Sequence, residues 1–182
     1  MPTFVPAETP GDERGALLAF LEAQRGGVRR AALGLTDEQA RQRPSASELS
    51  VGGLVKHLAE VEQRWVEMAQ GREPAIPRDQ GNWHLSFQLR DGETVAGMLA
   101  FWDEVAVATE KFVRSVPSLD DTFALPEAPW YPKDARQSMR WLLLHLIEET
   151  ARHAGHADVV RESLDGATAF ALVDRERAAR EG

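Results

Sequence analysis

No cysteine occurs among the 182 residues. That excludes a disulfide framework, a thiolate metal site and a cysteine nucleophile. Lysine is also scarce: only three of the 21 basic residues are lysine, and the formal net charge is −8. With no basic cluster, the sequence argues against a surface for nucleic acid or for an anionic membrane. No apolar run approaches the roughly 18 residues needed to span a membrane. The opening stretch, MPTFVPAETPGDERG, lacks the basic start and apolar core of a signal peptide. The expected location is therefore cytoplasmic. Internal repeats, low-complexity tracts and sustained strand-like alternation are missing as well.

The chain does carry 43% hydrophobic residues, enough to bury a core, and they recur at helical spacing. A first helix is expected from about Asp12 to Leu33, and the Gly26–Gly27 pair marks a candidate kink. Gly34 and Thr36 stop it and cap a short helical turn, DEQARQR. The second runs from near Ser50 to Gly71 with Leu54, Leu58, Val61, Trp65 and Met68 on one face. The third covers about Glu93 to Val116 and is closed by Pro117. The fourth starts between Asp134 and Ser138 and ends at Leu164, before Asp165-Gly166. Two long crossovers, 72–92 and 118–133, separate the later helices and contain Trp83, Trp130 and Tyr131, candidates for a rim or lid. The pattern predicts an all-α four-helix bundle with long crossover loops, forming a single domain over 1–182 with loosely ordered ends at 1–11 and 175–182.

The chemistry gathers in HLIEETARHAGH, residues 145–156. With Leu142 set at zero and about 100° per residue, Leu146 falls near 40°, Glu149 near 340°, His153 near 20° and Val160 near zero. The apolar stripe thus runs through Glu149 and His153, while Glu148, Arg152 and Glu162 lie off it as solvated charges. A carboxylate on a core face must pair with an arginine, take up a proton or bind a metal. A histidine four residues later favours the metal, because this spacing presents two ligands to one ion. His57, on the apolar side of the second helix, is the candidate third ligand. His57, Glu149 and His153 would leave coordination positions open, as a catalytic site requires. Taken alone, His57 also fits a hydrogen-bonded core histidine, and Glu149–His153 fits a helix-stabilising pair. His145 and His156 read as supporting or surface residues, and nothing marks His84.

The stretch ERGALLAFLEAQRGGVRRAALGLTDEQARQRPSASELSVGGLVKHLAEVE and the ending LLLHLIEETARHAGHADVVRESLDG resemble the DinB/YfiT-like superfamily of four-helix metalloproteins. The similarity extends to the branch that includes mycothiol-dependent maleylpyruvate isomerase, of which the chain resembles the N-terminal metal-binding domain. In that branch glutamate stands at the position of Glu149, where most of the superfamily has histidine. The resemblance implies a metal site of His57, Glu149 and His153; His145, one turn before Glu149, is placed to orient it. It implies a divalent metal, Zn2+ first with Ni2+ or Fe2+ able to use the same ligands, and mycothiol or another low-molecular-weight thiol as co-substrate. The implied activity is thiol S-transfer or thiol-dependent isomerisation, in which a metal-bound thiolate attacks a small electrophile. A non-catalytic metal-binding stress protein and a metal-dependent hydrolase remain open alternatives, as does homodimer formation.

Overall fold

The computed structural model describes residues 5, 9–127 and 131–181. Helix α1 (Glu13–Ala31) runs unbroken through Gly26–Gly27, and its N-terminus is capped by Asp12, whose side chain accepts from the Gly15 amide. A short helix α2 (Asp37–Arg41) follows with a complete capping box between Thr36 and Gln39. Helix α3 (Val51–Ala69) is capped by Ser50, and helix α4 (Val95–Ser115) by Thr94. Strands β1 (Thr122–Ala124) and β2 (Arg136–Ser138) pair antiparallel, with Phe123 opposite Gln137. Helix α5 (Met139–Asp165) ends at Gly166, whose φ of 74° supplies the left-handed cap that a side chain would resist. Helix α6 (Ala169–Glu181) closes the chain and packs on α1 through the buried Leu172.

Helices α1, α3, α4 and α5 form the four-helix bundle, with α1 packed on α5 and α3 on α4. One apolar cluster joins Val28, Leu54, Leu58, Trp102 and Val160. A second, towards the other end, joins Leu21, Val66, Val113, Leu142 and Leu146. The predicted all-α architecture and its helix boundaries agree with this arrangement to within a few residues. No helix among the described residues is long and apolar enough to cross a membrane.

Two features place the site. From Val51 to Glu62 every residue of α3 is buried, so this half of the helix has no solvent face. The 72–92 crossover lies over it and carries a short 3-10 turn, Trp83–Phe87. Close approach is possible because Gly53 has no side chain: a β-carbon there would lie 2.0 Å from the Phe87 carbonyl oxygen. At the far end of the bundle, Arg161 donates to the carbonyls of Ala31 and Leu33, both at 2.8 Å. It thereby satisfies acceptors that the C-terminus of α1 leaves unpaired.

Candidate metal centre

Helices α3 and α5 bring three ligand-type side chains together. His57 projects from α3, one turn beyond Gly53. Glu149 and His153 project from one face of α5, as their four-residue spacing requires. His57 Nε2 lies 3.2 Å from Glu149 Oε1, and His153 Nε2 lies 3.4 Å from the same oxygen. The candidate ligand atoms of all three residues fall within 4.8 Å of one another. His57 and His153 are buried, whereas the Glu149 side chain keeps 22% of its exposure, which leaves a way in from solvent.

The hydrogen bonds behind the histidines fix which nitrogens face the centre. Ser86 gives its single hydroxyl hydrogen to the Trp83 carbonyl oxygen at 2.8 Å, so it accepts from His57 Nδ1 at 3.0 Å. Burial holds the His57 pKa below its ordinary value, despite Glu149 beside it, and keeps the ring neutral. A neutral ring carrying its hydrogen on Nδ1 presents a bare lone pair at Nε2. Glu149 is anionic: contact with His153, above all, holds its carboxyl well below the usual carboxylate range against the opposing effect of burial. A lone pair and a carboxylate oxygen therefore face each other, an arrangement that a cation between them would stabilise.

The two distances to Glu149 Oε1 fit such a cation. Ligand bonds of about 2.0–2.2 Å, as zinc makes to imidazole and carboxylate, place neighbouring ligand atoms roughly 3.0–3.5 Å apart. On the outer side of His153, Nδ1 meets His156 Nδ1 at 3.2 Å. Burial first, then the charges of His153 and Arg152, lower the His156 pKa, and a neutral His156 can accept from His153 Nδ1–H. Each histidine nitrogen facing the centre is thus backed by a partner on the opposite nitrogen, the usual support for a metal-binding imidazole.

Aromatic rings cover the centre. Phe87 stacks on His57 with centroids 3.8 Å apart and 17° between planes, and Trp83 meets the same ring edge-on at 5.7 Å. The crossover that carries them is pinned to α3 by charge pairs. Arg78 grips Glu60 at 2.8 and 2.7 Å, and Lys56 holds Glu93 at 2.8 and 2.6 Å. Lys56 and Glu60 are themselves buried.

His145 stacks on Trp141 (4.9 Å, 11°) and meets Trp65 edge-on (4.7 Å), and its Nδ1 lies 3.9 Å from Glu148. Trp83 does lie over His57, while His84, on the same turn, is exposed. Tyr131 is half-buried within the loop that joins β1 to β2, and Trp130 lies outside the described residues. Ser86 and Phe87 were not among the sequence candidates, whereas His156, read as a supporting or surface residue, lies behind His153. Ser86 carries no local signal, since its partner is 29 residues away.

Residues 16–166 match the mycothiol-S-transferase family. The chain belongs to that family. Membership places it in the DinB/YfiT-like superfamily, as the helical architecture also indicates. A crystal structure of a conserved protein from Enterococcus faecalis superposes with a TM-score of 0.63 over 82% of this chain and 95% of that one. At 12% identity, that likeness shows a shared fold alone. No curated protein matches the sequence. The family match falls on transferases, and all three centre residues lie inside the matched segment.

Ser86→Ala is expected to weaken metal binding about 10–100-fold, the usual cost of losing a support behind a ligating histidine. Competition with a chromogenic chelator measures this. The protein should remain folded, because only one hydroxyl is removed; unchanged affinity would show that Ser86 does not orient His57.

Proposed function

We propose that the protein is a divalent-metal-dependent transferase that joins a low-molecular-weight thiol, mycothiol in the first instance, to a small electrophile. The observation that carries this reading is the bare His57 Nε2 facing the Glu149 carboxylate, with His153 Nε2 on the same oxygen. His57, Glu149 and His153 would hold the metal; Zn2+ suits two imidazoles and a carboxylate, and Ni2+ or Fe2+ would accept the same donors. When bound there, a divalent cation supplies the charge that turns a thiol into its nucleophilic thiolate.

The chain's own residues set the conditions for that chemistry. Glu149 brings one negative charge to the centre and so moderates its net charge. Ser86 and His156 hold the two imidazoles with their Nε2 atoms turned inward. Phe87 and Trp83 close the crossover side with hydrocarbon, so a thiol and an electrophile would enter past the partly exposed Glu149. The protein has no cysteine of its own, so the sulfur must come with the co-substrate. Transfer is preferred to isomerisation because the family match is to transferases.

The test is direct because the protein adds no thiol background. Metal-loaded protein is incubated with mycothiol and a panel of alkylating electrophiles, and free thiol is titrated over time. The expected result is thiol loss and an S-conjugate by mass spectrometry, faster than with metal-free protein. Metal-bound protein that consumes no thiol across the panel would overturn the reading. Water-derived products without thiol loss would instead assign the centre to hydrolysis.

A further inference from the structure

A second site lies along the same face of α3. Arg64 follows His57 by seven residues, so it falls on nearly the same side of the helix and about 10 Å further along its axis. There the end of α3 and the β1–β2 hairpin enclose a cleft of about 540 Å³, lined by Arg64, Met68, Arg72, Phe123 and Arg136, with Glu73 as its one carboxylate. The three arginines are held by neutral acceptors. Arg64 Nη1 donates to the Arg78 carbonyl oxygen at 2.8 Å, and Arg72 Nε to Gln70 Oε1 at 2.8 Å. Arg136 donates to the Thr122 hydroxyl at 2.9 Å and to the Thr122 carbonyl at 2.7 Å. Among the described residues none of these guanidiniums has an ion-pair partner. A chain of net charge −8 therefore keeps a cleft with a surplus of two positive charges.

A row of rings links this cleft to the metal centre. Phe123 on the cleft wall meets Trp65 edge-on at 6.5 Å, Trp65 meets His145 at 4.7 Å, and His145 lies one turn before Glu149 on α5. We propose that the cleft of Arg64, Arg72 and Arg136 binds a carboxylate at the far end of the small-molecule substrate whose other end reaches the His57–Glu149–His153 centre. A surplus of two charges suits one carboxylate, and the planar guanidinium fork matches its two oxygens. The apolar row between the two sites suits an aromatic or hydrocarbon spacer. That the carboxylate belongs to a substrate rests on the transferase reading; the binding of a carboxylate in the cleft does not.

The test uses biphenyl-4-carboxylate and its uncharged counterpart, biphenyl-4-carboxamide, titrated calorimetrically into the full chain without metal or thiol. The carboxylate is expected to bind about tenfold more tightly at low salt, a preference that shrinks as salt is added. The Arg64→Gln, Arg136→Gln double variant should lose the preference, and the corresponding double change to lysine, which keeps the charge but not the fork, should keep part of it. Circular dichroism melting of each variant verifies the fold. Equal affinity for the two probes, or a preference that survives the double glutamine change, overturns the proposal. Because neither metal nor thiol is present, failure here leaves the transferase reading standing, and failure of the transferase assay leaves this result standing.

Discussion

Replacing Glu149 with alanine is expected to abolish tight divalent-metal binding and to remove the thermal stabilisation that metal gives the wild-type chain. Glu149 Oε1 is the atom on which both histidine Nε2 atoms converge, so its loss leaves two imidazoles and no anion. A ligand that binds only the folded state at a thousand times its Kd stabilises it by about 4 kcal/mol. For a chain of this length that corresponds to a Tm increase on the order of 10 °C. Wild-type protein should show a shift of that size on saturation with Zn2+, and Glu149→Ala and His57→Ala should show almost none. His84→Ala is the control, because His84 is exposed on the turn that covers the site. Equal Zn2+ shifts in wild type and Glu149→Ala would dismiss the centre; differential scanning fluorimetry with metal analysis decides it.

The parts of the site that follow from helix geometry were legible in the sequence. Glu149 and His153 share a face of any helix that contains them, and a carboxylate on an apolar stripe stands out without tertiary information. His57 was found because its neighbours are apolar. What depends on the opposite helix was not legible. His145 and His156 lie at similar angles on α5, near 300° and 320° when Leu142 is zero. Their surroundings diverge because α3 sets Trp65 against His145, while His156 meets the outer nitrogen of His153. Ser86 and Phe87 reach His57 only because the crossover folds back over Gly53, a contact without local periodicity. The same reasoning explains the buried charges of α3: Lys56, Glu60 and Glu62 look solvent-facing on a one-stripe helix, and this half of α3 is covered on every side.

Glu62 gives the largest stability effect that the fold predicts. Its carboxylate is 3% exposed and accepts four hydrogen bonds that join three helices. Arg25 of α1 donates from Nε at 3.0 Å and also from Nη2, Trp102 Nε1 of α4 donates at 2.9 Å, and the Thr109 hydroxyl at 2.6 Å. Arg25 is equally buried, and burial opposes its charge, yet the charge and hydrogen bonds of Glu62, then of Glu22, outweigh that and raise its pKa. It remains a cation whatever stands at position 62. Glu62→Ala thus leaves the buried guanidinium with only the exposed Glu22 as an ion-pair partner, and an indole N–H and a hydroxyl without an acceptor; breaking a buried pair in this way costs about 3–5 kcal/mol. Against a total stability of about 5–15 kcal/mol, that is a large fraction. Urea denaturation should show the loss as a lower midpoint. Glu62→Gln keeps an acceptor but not the charge and should fall between. Exchanging both partners, as Arg25→Met with Glu62→Met, should recover part of the loss, because the under-paired buried charge is gone while Trp102 and Thr109 still lack an acceptor. A loss below about 1 kcal/mol for Glu62→Ala, within the range of exposed ion pairs, would mean that water reaches Arg25 and the network does not hold α1, α3 and α4 together.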